Sequence, residues 1–175
     1  MCEDKDMEIK DMKNREGKKI GVCASAFDLC HAGHVRMLRD CKTQCDYLIV
    51  LLQDDPSQKK DSDYRLRTGG KVKNKPVMSL EERYEILSGI KYVDEIILYS
   101  TEEDLYEWLK NNRYDVRILG SDWQGKAYTG HDLPHTPYFH KRDHPWSTSE
   151  LRQRIYEIEK ERLENLEYEL RFATN

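Results

Sequence analysis

The sequence has no apolar run of about 18 residues, the length a helix needs to cross a bilayer, and residues 1–19 are charged rather than signal-like. No membrane partner and a cytoplasmic location are therefore expected. Cys-x-x-Cys pairs are absent too. The five cysteines, Cys2, Cys23, Cys30, Cys41 and Cys45, form no disulfide framework and fit a reducing compartment. Positive charge is not in excess: 29 Lys and Arg stand against 33 Asp and Glu, a net charge of −4. This excludes a general nucleic-acid binder, which carries a basic field, but leaves room for a local basic pocket. Neither an internal repeat nor an interdomain linker is visible.

What remains is a chain of 175 residues, 38% hydrophobic and 35% charged, enough for one domain with a real core. Residues 1–17 mix both charges with few large apolar side chains and read as a flexible extension, leaving 18–175 as a single domain. Strands are expected at 18–25, 46–52, 93–99, 116–119 and 138–140. Helices are expected at about 33–44, with Val35, Leu38 and Cys41 inward, at 79–90, at 101–112 and at 147–172. The alternation predicts a three-layer α/β/α sandwich around a doubly wound, parallel, five-stranded sheet. The last helix carries Leu151, Ile155, Ile158, Leu166 and Leu170 among many charges. It is expected to pack on its own domain, with a dimer contact as the rival reading.

Ligands in such sheets sit beyond the carboxyl ends of the strands. Here every chemically suggestive segment follows a strand: Ser25–His34, the long loop Gln53–Val77, Gly120–Trp123 and His140–Ser149. Between Pro56 and Lys75 the long loop holds seven basic residues against two acidic ones, a binding segment or a solvated surface loop. His31 and His34 fall at a helix start, where free amides and the helix dipole favour phosphate. An i, i+3 histidine pair could also share a metal ion, yet no Cys or His cluster stands at zinc spacing, so no protein-bound metal is expected. Gly33 allows close backbone approach, and Asp28 offers a carboxylate to orient a ligand.

Ala26-Phe27-Asp28-x-x-His31-x-Gly33-His34 resembles the (T/S)FD-x-x-H-x-G-H signature of the cytidylyltransferase branch of the nucleotidylyltransferases. Within that branch it resembles the glycerol-3-phosphate cytidylyltransferases in particular. Further matches follow in order: Asp46-Tyr47-Leu48, Glu82-Arg83, Tyr92-Val93-Asp94-Glu95, Gly120-Ser121-Asp122-Trp123, then Arg142 and Ser147-Thr148-Ser149. The resemblance implies a Rossmann-like nucleotidylyltransferase fold and attack by a substrate phosphate on the α-phosphorus of CTP, with release of pyrophosphate. His31, His34, Arg142 and Lys75 would be catalytic. Ser25, Ala26, Phe27, Asp28, Gly33, Asp122, Ser147, Thr148 and Ser149 would bind the nucleotide. Asp28, Lys73, Lys75 and Arg83 would bind the acceptor. The expected partners are CTP with Mg2+, a small phosphomonoester such as glycerol 3-phosphate, and a second copy in a homodimer.

The departures are specific. Ala26 replaces the usual Thr or Ser, Lys91 stands where relatives often have Arg, and the Gln53–Val77 loop is longer than the family's short form. The usual Arg-Thr-x-Gly-x-Ser-Thr run reads Arg142-Asp143-His144-Pro145-Trp146-Ser147-Thr148. Two other readings stand: an adenylyltransferase acting on a sugar phosphate or pantetheine phosphate, and a nucleotide-binding module without turnover.

Overall fold

A computed structural model describes residues 15–58 and 73–172. Residues 1–14 of the expected extension and residues 59–72 of the long loop lie outside the described residues. Five strands, β1 (Ile20–Ser25), β2 (Tyr47–Gln53), β3 (Glu95–Tyr99), β4 (Val116–Gly120) and β5 (Thr136–His140), form one sheet. All neighbours pair in parallel, in the order β3-β2-β1-β4-β5. The order reverses at β1, so the crevice beyond β1 and β4 is the switch point where such sheets take ligands.

Side-chain alternation sorts the core into two layers. Cys23, Leu48, Val50, Leu52 and Ile118 join Leu38 and Cys41 of α1 (Ala32–Thr43) and Leu87 of α2 (Leu80–Ser88). On the other face Ile20, Val22, Tyr47, Ile49 and Leu51 join Leu105 and Leu109 of α3 (Glu102–Asn111). All seven residues of β2 are buried, as expected of a central parallel strand. Each fully buried Leu or Ile there contributes about 1.5–3 kcal/mol. The doubly wound architecture thus follows from the alternation of apolar runs and capped helices. Ser79 and Thr101 accept from the amides of Glu82 and Asp104, and those carboxylates return the bond.

Three expectations need correction. β3 starts at Glu95 because the Val93 amide closes a turn onto the Ile90 carbonyl at 2.9 Å. Val35 is 40% exposed. The buried side of α1 runs through Gly33, Leu38 and Cys41, and Val35 sits about 200° round the helix from Gly33. The last helix, α4 (Thr148–Phe172), holds to its own domain only by its first turns, through Thr148 and Arg152. From Gln153 to Arg171 every residue is exposed, Ile155, Ile158, Leu166 and Leu170 included. At 25 residues it is about 38 Å long and outruns the sheet it starts from.

Candidate active site

The turn from β1 into α1 holds Phe27 and Leu29 at positive φ, 51° and 47°. Side chains with a Cβ pay about 1–3 kcal/mol for such conformations, so the surroundings must hold them. Phe27 is 1% exposed, and Asp28 is the anchor. Asp28 Oδ1 accepts the amides of Val77 (2.9 Å) and Met78 (3.0 Å), Oδ2 pairs with Arg152 Nη2 (2.8 Å), and its carbonyl accepts from Thr148 Oγ1 (3.1 Å). Arg83, 2% exposed, braces the same turn. Its Nη1 donates to the carbonyls of Ala26 (2.8 Å) and Gln53 (2.6 Å), and Nη2 donates to Asp54 (2.6 Å). Nε reaches the carbonyls of Met78 and Ser79.

This turn presents the two histidines. His31 caps α1, its Nδ1 accepting from the Gly33 amide at 3.0 Å, while the His31 amide donates to His34 Nδ1 at 3.3 Å. An Nδ1 that accepts carries no proton, so in both rings the proton sits on Nε2. The rings stack with centroids 4.1 Å apart. Burial, followed by the charge of His31 and Arg142 and opposed by Asp28, pushes the His34 pKa down to about 3. His31 is lowered too, first by burial, then by His144 and Arg142 and against Glu150. Near neutral pH the pair is thus two uncharged Nε2–H donors. A Cβ at Gly33 would stand 2.9 Å from His31 Nδ1 and 2.7 Å from His144 Cε1, so only glycine fits here.

His31, Gly33 and His34 line a pocket of about 90 Å³ with Arg142, Ser147, Thr148, His140, His144 and Gly120. Ser147 Oγ accepts the Glu150 amide at 3.1 Å, so the pocket receives the start of α4. Its free amides favour anions there. His140 lies 2.6 Å by Nδ1 from Asp40, which also accepts from the Tyr138 hydroxyl at 3.0 Å. His144 has both ring nitrogens sealed and unpartnered among the described residues, and it stacks on Trp146 at 5.1 Å. Arg36 holds this loop, 5.0 Å over Trp146 and 3.6 Å from Asp143. The unusual residues 143–146 therefore anchor the loop to α1. Asp40, His140 and Arg152 were missed from sequence because their partners lie about 100 or more positions along the chain.

A second cavity of about 370 Å³ opens on the α3 side of the same strand ends, lined by Ser25, Ala26, Lys73, Glu102, Arg117 and Asp122 among others. Both border the end of β4, where Gly120 lines the smaller and Asp122 the larger. Burial lowers the pKa of Lys73, opposed by Glu102. The expected residues thus divide: the histidines, Gly33, Arg142, Ser147 and Thr148 on one side, Ser25, Ala26, Lys73 and Asp122 on the other. Expectations for five residues change. Arg83 cannot grip an acceptor, its fork being committed to carbonyls. The Asp28 carboxylate is likewise occupied by amides and Arg152, which removes it from nucleotide and acceptor alike. The buried Phe27 ring packs 5.3 Å from His34, away from any ligand. Lys75 lies with Asp54, Asp55 and Val77 in a separate shallow pocket, and exposed Ser149 lines neither cavity. Among the described residues no three His, Cys, Asp or Glu side chains gather as a metal site. No helix among them is long and apolar enough to cross a membrane.

Residues 22–154 match the family model described as cytidylyltransferase-like. A bifunctional protein HldE of Wolinella succinogenes is 37% identical over 117 residues, 67% of this chain and 23% of its own length. The chain spans about a quarter of the HldE relatives it matches. The FAD synthase of Thermococcus onnurineus is 30% identical over 157 residues, 83% of this chain and 97% of the relative. Among solved structures, a lipopolysaccharide core biosynthesis protein from Thermoplasma volcanium is 22% identical, with a TM-score of 0.46, over 81% of this chain and 89% of that one.

Proposed function

Since the chain belongs to the cytidylyltransferase-like family, we propose that it transfers CMP from CTP to a small phosphorylated alcohol, of which glycerol 3-phosphate is the simplest. A phosphate oxygen of the acceptor attacks the α-phosphorus in line, the new O–P bond forms as the bond to the β-phosphate oxygen breaks, and pyrophosphate leaves. The protein supplies position and charge rather than a nucleophile. The observation that carries this reading is the histidine pair, with both Nδ1 atoms tied to the main chain and both Nε2–H groups left to donate. His34 donates to the α-phosphoryl oxygens, His31 and Arg142 hold charge moving to the leaving group, and the start of α4 at Ser147 and Thr148 takes the β- and γ-phosphates. Lys73 holds the acceptor phosphate in the larger cavity. The triphosphate brings Mg2+ as part of the substrate, since the pocket offers donors rather than ligands; the ion neutralises phosphate charge.

Adenylyl transfer is the second reading, because the FAD synthase relative, similar over nearly its whole length, is named for a product that contains adenosine. The chain is further proposed to act as a homodimer in the cytoplasm. A pyrophosphate-release assay crossing four nucleoside triphosphates with a panel of phosphomonoesters tests the function. Release with CTP alone supports the first reading and release with ATP the second. Silence with every pair makes the chain a binding module.

A further inference from the structure

Arg117 is a cation in the middle of β4, between Val116 and Ile118, which face the opposite layer of the core. It is 3% exposed. Of its five donor N–H bonds one has a partner, Nη1 to the Val22 carbonyl at 3.3 Å. Nε is sealed and unpartnered, and no carboxylate forms an ion pair with the guanidinium among the described residues. The side chain lines the 370 Å³ cavity together with Ser25 and Ala26. Arg83, the other buried arginine, on α2, is the contrast: it donates to five carbonyls and has a structural task. A buried cation without a partner is worse for folding than an apolar side chain of the same size. Arg117 therefore has no folding task to explain it, and its planar fork suits a carboxylate or phosphate.

We propose that Arg117 is a specificity residue of the acceptor cavity. It selects a phosphorylated compound with a second anionic group, carboxylate or phosphate, at the end remote from the attacking phosphate. Among the described residues Lys73 and Arg117 are the two cations along the cavity; in the same lining Thr129 Oγ1 donates to Glu102, and Asp122 suits an intervening hydroxyl. This assignment rests on the reading of the cleft as the acceptor site of a nucleotidylyltransferase. A neutral polyol tail, with hydroxyl oxygens accepting from the guanidinium, is the competing occupant.

Calorimetric titration of the full chain with 3-phosphoglycerate and with glycerol 3-phosphate, in the wild type and in Arg117→Met, separates these. The wild type binds the diacid at least about tenfold tighter, and Arg117→Met loses about that factor for 3-phosphoglycerate while affinity for glycerol 3-phosphate changes less than about twofold. Its Tm stays equal to or rises above the wild-type value. Arg117→Lys, which keeps the charge without the fork, retains part of the preference and serves if the Met variant does not fold. Equal affinity for the two ligands in the wild type, equal losses in the variant, or no binding of either ligand overturns the assignment. Pyrophosphate release with the same acceptors tests the underlying reading separately. A calorimetric preference without release under any triphosphate leaves the Arg117 site standing and rejects the transferase. Release with neutral-tailed acceptors, unaltered by Arg117→Met, does the reverse.

Discussion

Replacing His34 by Gln isolates the consequence of a histidine held uncharged. With a pKa of about 3 in the folded protein and about 6.5 in the unfolded chain, acidification protonates only the unfolded state. Stability is thus intact above about pH 6.5, falls as the pH drops through that value, and stops falling near pH 3. Between pH 7 and pH 5 the loss from this one group is about 2 kcal/mol, equivalent to about 4–8 °C in Tm for a chain of this size. The side-chain oxygen of the introduced glutamine would still accept the His31 amide, but the amide group cannot titrate. His34→Gln should therefore lose about 2 kcal/mol less than the wild type over that interval; His31 contributes in the same direction to both proteins and cancels. Paired thermal or urea unfolding at the two pH values measures the difference, and the Cε1–H resonance of His34 reports its titration directly. An equal pH dependence in the two proteins, or a resonance titrating near 6.5, would refute the neutral-donor argument. The same reasoning removes His34 from any acid limb of log kcat/KM between pH 5 and 8, the profile that reports the free enzyme.

His34→Ala should lower turnover at least about a hundredfold, the scale of a lost oxyanion-type donor; a near-normal rate removes it from the mechanism. Lys73→Ala should raise the acceptor KM more than the KM for the triphosphate, while Lys75→Ala, outside the cavity, should alter neither strongly; steady-state kinetics with both substrates varied decides this. Arg83→Met should destabilise by about 3 kcal/mol, since several buried carbonyls lose their donor, and chemical denaturation would expose a smaller effect. Light scattering should give twice the 20.8 kDa chain mass; a monomer at micromolar concentration rejects the dimer.

The layered sheet was legible because its evidence is local. Apolar runs such as Tyr47–Leu52 and capping pairs such as Ser79 and Glu82 need no knowledge of the rest of the chain. The histidine turn was legible for the same reason, since His31, Gly33 and His34 cap one another within four residues. Arg83 and Asp28 misled because their roles depend on partners up to 57 and 124 positions away. A charge beside a motif reads as a ligand contact until the carbonyls or amides around it are seen. Arg117 did leave a signal, a lone cation inside the apolar run Val116–Leu119. Spacing on α4 showed an apolar row, but amphipathicity does not say what covers it.

Asp28 joins three stretches far apart in the chain: the histidine turn itself, the approach to α2 at Val77 and Met78, and the first turns of α4 through Arg152 and Thr148. The Arg152 side chain closes the ring by donating to the Lys75 carbonyl at 2.6 Å. The histidine turn borders both cavities and the start of α4 borders the smaller one, so the ordering of these three segments is coupled through Asp28. Asp28→Asn and Arg152→Leu should consequently be strongly non-additive in a double-mutant cycle. Tension applied along the exposed length of α4 would be transmitted, by way of one carboxylate, to the backbone that aims the two imidazoles.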